Sequence, residues 1–518
     1  MTAPAGSVLV GLDAGGSYVK ATVFDLDSGD SKTVTCAVRV HHSLPGHNER
    51  DAEELWSAAA HVIRSSLNCI PAATTRVVAV GVTGHGNGAY FVDHAGRPTR
   101  YAIQASDTRA ASLTSRWSAA GVPEALRPRV WNDLWPGQPG PLLRWLSTYE
   151  PDALAQSAAL LMCGDYLRAR LTGTLCAELT AWSCNGLLDS TAAIVSDEAL
   201  TAYSIQFARR LIPPIVFPDA VVGTISADAA AVTDLPAGIP VVAGAVDNVA
   251  MQLGAGVIDD SRILVGAGTW SINQLLVPKI TMTMNGPLGS VRPYAACLAI
   301  PDEFALLIEA SATSASTLAW AMQRVARGVT AAADEAHANI YSYAIEHAAR
   351  RRRRLDSPTF LPFLDGSRDV PQARGAWFGL SSASDDVDLI NAVIEGVCLE
   401  HRRHVERLSR AIIGDPATLR LVGGAARSSI WAQLFADTTG RTVEVSPVEE
   451  IGTVGAALIA GQAIGLFSTT AAGLAHLNPS HHTFEADPSA VEFFESRNER
   501  YLRWVRIIEE MPRFEREE

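Results

Sequence analysis

Two stretches in opposite halves of the chain repeat one plan, and that repetition limits the folds open to it more than any other feature. Ser7 to Leu12 is an apolar run that ends in Asp13, passes through Ala14-Gly15-Gly16-Ser17, and continues into a second extended run from Tyr18 to Asp25. Arg262 opens the counterpart, in which Ile263-Leu264-Val265-Gly266 leads through Ala267-Gly268-Thr269-Trp270 into Ser271 to Val277. Each reads as strand, Gly-rich turn with a hydroxyl, strand. A duplicated grip predicts two similar α/β halves facing each other, each offering a loop to one end of a shared ligand. With 518 residues the chain is long enough for two large cores. The expected boundary is the hinge Gly254-Ala255-Gly256, which separates residues 1–256 from 257–518.

The turn chemistry narrows the ligand. Gly15 and Gly16 let backbone N–H groups approach an anion, Ser17 can donate to it, Lys20 follows, and Asp13 can hold a hydrated Mg²⁺. The plain alternative is a Gly-rich hairpin turn with no ligand. A third unit runs from strand Leu419–Val422 through Gly423-Gly424-Ala425 into a helix over Arg427 to Asp437, and a helix start behind small residues suits an adenosine or phosphate group. A fourth pairs strand Arg441–Val445 with a helix from Ile451 to Ile464, whose Gly455, Ala456, Ala457 and Gly461 allow close packing.

Gly244-Ala245-Val246-Asp247-Asn248 stands at the end of the apolar strand Ile239 to Ala243 and at the start of a helix running to Leu253. A carboxylate directly after five apolar residues must find a partner or a task; it either faces a cleft or caps the helix. Strand Arg76 to Val82 leads into Thr83-Gly84-His85-Gly86-Asn87-Gly88, where His85 and Asn87 project from a loop of little bulk and suit hydroxyl recognition. His85 can equally be a hydrogen-bonded structural residue. A hairpin is expected from Ala89–Asp93 and Pro98–Ile103, after which Asp107 adds a carboxylate or forms an exposed ion pair with Arg109.

Asp51 opens a helix with Glu54 completing a capping box, and Leu160 to Leu171 is expected to be helical. Trp131, Trp135 and Trp145 suggest an ordered cap over the cleft, with Trp145 in the core and Trp135 free to line a pocket. Arg350 to Arg354 reads as a solvated helix end.

A net charge of -13 makes nucleic acid and anionic membranes poor partners for the whole molecule; a small polar substrate fits better. Seven scattered cysteines without a C-x-x-C pair, no signal-peptide pattern and no long apolar run point to a cytoplasmic protein without zinc.

Three Gly-rich loops, Asp13 at a hairpin tip and Asp247 at a strand end favour nucleotide-dependent phosphoryl transfer, and the arrangement resembles the FGGY carbohydrate kinases. Gly375-Ala376-Trp377-Phe378-Gly379-Leu380, with Leu389 to Glu395 beyond it, looks like the C-terminal signature of that family. Pro45-Gly46 with Glu49, Asp51 and Trp56 is similar to its early substrate segment, and Pro141 to Leu146 to its K-x-W motif with Arg144 in place of Lys. The resemblance implies two duplicated actin-like (ribonuclease H-like) ATPase domains with a cleft and hinge between them. The first would bind the sugar and carry the base, the second the nucleotide.

Carried over, Asp247 matches the general base and Asp13 the carboxylate that orients Mg²⁺. Gly15, Gly16, Ser17 and Lys20 match the first phosphate loop, Gly268 and Thr269 the second, and Gly423, Gly424, Ala425 and Ser429 the nucleotide side. His85, Gly86 and Asn87 fall where relatives grip substrate hydroxyls and Trp270 where an aromatic lines the pocket; Asp107, Trp135 and Asp247 itself are further expected substrate contacts. Ala267 departs from the hydroxyl residue usual in the second loop, and Ser314-Ala315-Ser316 from the expected glycines. The loop at His85 lacks the pairs of glycerol and D-xylulose kinases and looks most like the branch containing erythritol and L-xylulose kinases.

The implied reaction is ATP- and Mg²⁺-dependent phosphorylation of a terminal hydroxyl, with erythritol expected first and L-xylulose or a keto-acid sugar as the alternative. A homodimer is compatible with it. From another class, an actin-like ATPase would use the same fold to drive partner binding.

Overall fold

The computed structural model describes residues 6–282, 293–351, 354–366, 373–412, 414–478 and 480–510. Apolar runs of the first half build one sheet. β1 (Val8–Ala14) pairs antiparallel with β2 (Tyr18–Asp25), which pairs antiparallel with β3 (Ser31–Ala37). β4 (Val77–Gly84) joins β1 in parallel, and β5 (Val221–Thr224) with β6 (Pro240–Val242) completes the order β5-β6-β4-β1-β2-β3. The second sheet has β7 (Arg262–Ala267), β8 (Ser271–Pro278), β9 (Ala295–Leu298), β10 (Phe304–Ser311), β11 (Thr418–Val422), β12 (Thr442–Val445) and β13 (His482–Phe484), in the order β9-β10-β8-β7-β11-β12-β13.

All six strands of the first sheet have counterparts in the second, which adds β9 at its edge. Three antiparallel strands begin each (β1-β2-β3 and β7-β8-β10), two parallel strands follow (β4-β6 and β11-β12), and an antiparallel strand closes each edge (β5 and β13). The duplication expected from the two strand-turn-strand motifs is therefore a property of the whole sheets.

α1 (Ala52–Leu67) buries Leu55, Ala59, Val62, Ile63 and Leu67, the face expected from its spacing. Asp51 caps the helix by accepting from the Glu53 N–H at 2.8 Å rather than from that of Glu54, and the Glu54 carboxylate lies 3.8 Å from His41, so the expected capping box is replaced by a simple cap. α2 (Cys163–Thr172) packs under β4.

α3 (Asp247–Gly254) and α4 (Ile451–Ala463) join the halves. Although it follows β12 in the chain, α4 lies on the first sheet, against β1 and β4. Its approach is backbone to backbone: a Cβ on Gly11 would sit 2.1 Å from the Thr453 carbonyl, and one on Gly81 2.0 Å from that of Ala456. Against α3 the fit is mutual, with a Gly455 Cβ 1.9 Å from Ala250 O and a Gly254 Cβ 2.1 Å from Ile451 O.

Two expectations are corrected. Tyr90–Val92 pairs with Ala159–Leu161, so the expected hairpin partner, the Pro98–Ile103 segment, is held only by the bridges Ala89 to Ile103 and Val92 to Pro98 and by bonds such as Thr99 N–H to Phe91 O. The expected helix from Leu160 therefore starts only at Cys163, because Leu160 and Leu161 are already strand. The Arg350–Arg354 run does begin at a solvated helix end: Arg350 caps the helix Ile340–Ala349, exposed Arg351 pairs with Asp385 and exposed Arg354 with Asp356, and residues 352 and 353 lie outside the described residues. No helix among the described residues is long and apolar enough to cross a membrane.

Candidate active site

Asp247 is the first residue of α3, and the backbone that delivers it is pinned by buried side chains of the first half. The Arg168 guanidinium donates to Ala243 O, Thr83 Oγ1 donates to Ala245 O at 2.7 Å, and Val246 N–H donates to Thr180 Oγ1 at 2.9 Å. Thr180 is in turn held by Glu178, whose buried carboxylate also caps the helix Leu179–Ser183. Gly244 has φ +69°, and a Cβ there would lie 2.0 Å from Val82 O, so only glycine allows the chain to turn. The Asp247 carboxylate accepts from Asn248, through the backbone N–H at 2.7 Å and Nδ2 at 2.9 Å. Burial and then the charge of Asp13 push its pKa up to about 7.

Asp13 ends β1 in parallel register with Thr83. Its Oδ1 is buried without a hydrogen-bond partner among the described residues, and burial raises its pKa to about 6, with Lys20 opposing the rise and Glu450 adding to it. A Cβ on Gly452 would lie 2.5 Å from Asp13 Oδ2, so the start of α4 closes over this carboxylate. The turn after Asp13 is closed by Gly15 N–H to Tyr18 O at 2.9 Å, and the fully buried Arg50 donates to the carbonyls of Gly15 and Gly16. Gly16 meets nothing within 4 Å of a Cβ position, leaving its backbone open to a ligand. Lys20 pairs with Glu450 from the other half.

In the loop after β4, Gly86 lies against Val246, the residue before Asp247. Asn87 has φ +62°, and its buried Oδ1 has no partner among the described residues. His85 is buried, 3.1 Å from the Tyr90 hydroxyl, and burial followed by the Arg50 charge lowers its pKa to about 4. It is therefore neutral at physiological pH. Trp135 is partly buried and stacks on Tyr294 of the second half, and Trp270 is 46% exposed.

Asp107 departs from both of its sequence readings. The pair with Arg109 is buried, with no side-chain exposure on either residue, and Asn48 N–H and Arg109 occupy both carboxylate oxygens. Glu49, Arg100 and Glu150 extend this ionic cluster. Its oxygens are committed to protein donors.

A cavity of about 850 Å³ lies between the halves, lined by Tyr18 and Lys20 from the first and by Gly268, Thr269, Gly423 and Gly424 from the second. The loops are locked to each other. Gly423 has φ +90°, and its Cβ position lies 2.9 Å from the Ala267 carbonyl; Ala315 N–H donates to Gly268 O at 2.8 Å. The Ala267 side chain is fully buried and Ala315 lines the cavity. Ala425 is buried in a short turn, Ser428 rather than Ser429 caps the helix Ser429–Thr439, and Ser429 is not among the cavity-lining residues.

Residues 8–254 match the N-terminal domain, and 264–464 the C-terminal domain, of the FGGY family of carbohydrate kinases. The chain belongs to this family. It is a carbohydrate kinase with the two-domain actin-like fold, and the duplicated sheets are that fold's two halves. It is 32% identical over 501 residues to the L-xylulose/3-keto-L-gulonate kinase of Escherichia coli (strain K12), covering 96% of this chain and 97% of the relative. An erythritol kinase of Brucella abortus (strain 2308) is 28% identical over 89% of this chain and 88% of its own length. The order of similarity thus reverses the expectation that put erythritol first. The ligand-bound xylulose kinase of Lactobacillus acidophilus superposes with a TM-score of 0.85 at 19% identity, covering 97% of this chain and 98% of that one, and shows the fold.

Sequence reasoning missed the supports of this kinase's site: Arg50 behind the first loop, Thr83, Arg168 and Thr180 behind Asp247, and Gln274, which donates to Asn248. No local motif marks them.

Proposed function

We propose that this kinase transfers the γ-phosphoryl group of ATP to a terminal hydroxyl of L-xylulose or a closely related ketose or keto-acid sugar. The observation that carries the reaction is Asp247, a carboxylate at the start of α3 that among the described residues accepts hydrogen bonds only from Asn248 and whose pKa is raised to about 7, in the range suited to taking a proton from an attacking hydroxyl. The name printed for the relative of 32% identity supports the choice of sugar. We divide the chain near residue 256, the first part holding sugar and base and the second the nucleotide.

In this reading His85, as a neutral ring, and Asn87 orient the sugar hydroxyls. Gly16, Ser17 and Thr269 offer donors to the phosphates, Gly15 and Gly268 shape the two turns with their N–H groups on Tyr18 O and Trp270 O, and the loop Gly423-Gly424 flanks the nucleotide. Phosphoryl transfer asks mainly for alignment and charge neutralisation, and Mg²⁺ supplies part of the latter when bound. Asp13 is the residue that would hold its hydration shell: a hard carboxylate oxygen with an unpaired buried atom fits that ion, and no cluster of three metal-ligating side chains competes among the described residues.

The test is an ADP-coupled assay with ATP and L-xylulose, 3-keto-L-gulonate, D-xylulose, erythritol and glycerol. L-Xylulose or the keto acid should give the highest kcat/KM. Erythritol ahead of both would restore the expectation from sequence, and turnover of none of them would overturn the proposed choice of sugar.

A further inference from the structure

Among the described residues, the one side chain that donates to Asp247 is itself held from the other half of the molecule. Asn248 Nδ2 donates to Asp247 Oδ1 at 2.9 Å, and Asn248 Oδ1 accepts from Gln274 Nε2 at 2.7 Å. Gln274 is in β8, registered between Leu264 of β7 and Ile308 of β10. It is fully buried, and its Oε1 has no hydrogen-bond partner among the described residues. A buried carbonyl without a partner is costly, and a methionine or leucine would occupy an apolar strand without that cost. What glutamine adds here is the donor.

That donor sets a polarity. A carboxamide turned over presents its oxygen where its NH₂ had been. For Asn248 the turned-over state would bring an oxygen against the Asp247 carboxylate, and a Gln274 that accepted instead of donating would favour it. The observed order, from Gln274 through Asn248 to Asp247, is the only one in which each contact joins a hydrogen to an oxygen while Asp247 is ionised.

We propose that Gln274 is a positioning residue for phosphoryl transfer: by donating to Asn248 Oδ1 it keeps the Asn248 NH₂ on Asp247 and so fixes the carboxylate that receives the substrate proton. The inference rests on Asp247 being that base. Because β8 belongs to the second sheet and α3 packs with the first, the contact also makes the orientation of the base depend on how the halves sit. A shift of β8 away from α3 withdraws the donor.

The experiment compares Gln274→Met, Asn248→Ala and the double variant in the ADP-coupled assay, with Gln274→Leu as a second apolar replacement and Asp247→Ala as reference. Gln274→Met should lower kcat about tenfold, the scale of one lost oriented hydrogen bond, and leave KM for ATP within about twofold. In the Asn248→Ala background the same change should add nothing, since its route to Asp247 is gone. A structural Gln274 would instead lower the melting temperature and add to Asn248→Ala, and that result overturns the proposal. If Asp247→Ala abolishes turnover while both apolar replacements keep wild-type kcat, the positioning role alone fails. If Asp247→Ala turns over normally, the base assignment fails and takes the inference with it.

Discussion

At the scale of single residues, the proposed chemistry rests on two carboxyl groups that the fold keeps from ionising easily. Asp247 is raised to about 7 by burial and by the charge of Asp13, and Asp13 to about 6 by burial against the opposing charge of Lys20. A base works only when deprotonated. kcat/KM should therefore rise with pH through an acid limb near pH 7 and level off above it. Asp13→Asn removes the neighbouring charge that helps raise Asp247, so the limb of the residual activity should move to lower pH. Initial rates at subsaturating sugar across about pH 5 to about pH 9 measure both, and a flat wild-type profile would contradict the assignment of Asp247. His85 adds no limb of its own in this range, because burial already holds it neutral well above about 4.

At the scale of elements, the glycines are of two kinds. Gly455 is sterically required, since a Cβ would lie 1.9 Å from Ala250 O on the facing helix, whereas Gly16 faces open space. Gly455→Ala should therefore destabilise the protein by about 2 kcal/mol or more, because neither backbone can retreat without unpacking α3 from α4. Gly16→Ala should leave the melting temperature unchanged and, by adding bulk where phosphate approaches, raise KM for ATP. Thermal unfolding with ATP kinetics on the two variants separates these cases; equal melting temperatures would refute the packing argument.

The same elements show what a single sequence reveals. β1, β2, β7 and β8 were legible because apolar runs end at glycine turns, and α4 because its small residues announce close contact. Ala159–Leu161 was not, since three apolar residues before a helix carry no period that separates strand from helix. The supports of Asp247 were hidden for another reason. Gln274 meets Asn248 across 26 positions and Thr83 meets Ala245 across 162, and residue types alone carry no pairing. Asp107 was misread because its burial depends on a distant segment, from which the Asn48 N–H donates to it and Glu49 pairs with its partner Arg109.

At the scale of the whole molecule, contacts of unequal strength join the halves. The α3–α4 pair is packed backbone to backbone and is the natural pivot. On one side of it, β9 is tied to the first half by Ala296 N–H to Asn132 Oδ1 at 3.1 Å and Leu298 N–H to Ser183 Oγ at 2.9 Å. On the other side, Lys20 and Glu450 form an ion pair at the cavity between the halves, and Thr22 and Thr453 make a buried hydroxyl contact at 2.7 Å. Partly exposed ion pairs contribute little net stability, so the Lys20–Glu450 tie can open at small cost while the glycine-lined pivot holds. An anion in the cavity also competes with Glu450 for Lys20. Binding of sugar with a non-hydrolysable ATP analogue should therefore rotate the halves about α3 and α4, excluding water from the site. Small-angle scattering should show a smaller radius of gyration with both ligands than with neither. If the radius does not change, the halves are already closed without ligand, and water exclusion falls to the sugar and its capping aromatics, Trp135 and Tyr294, alone.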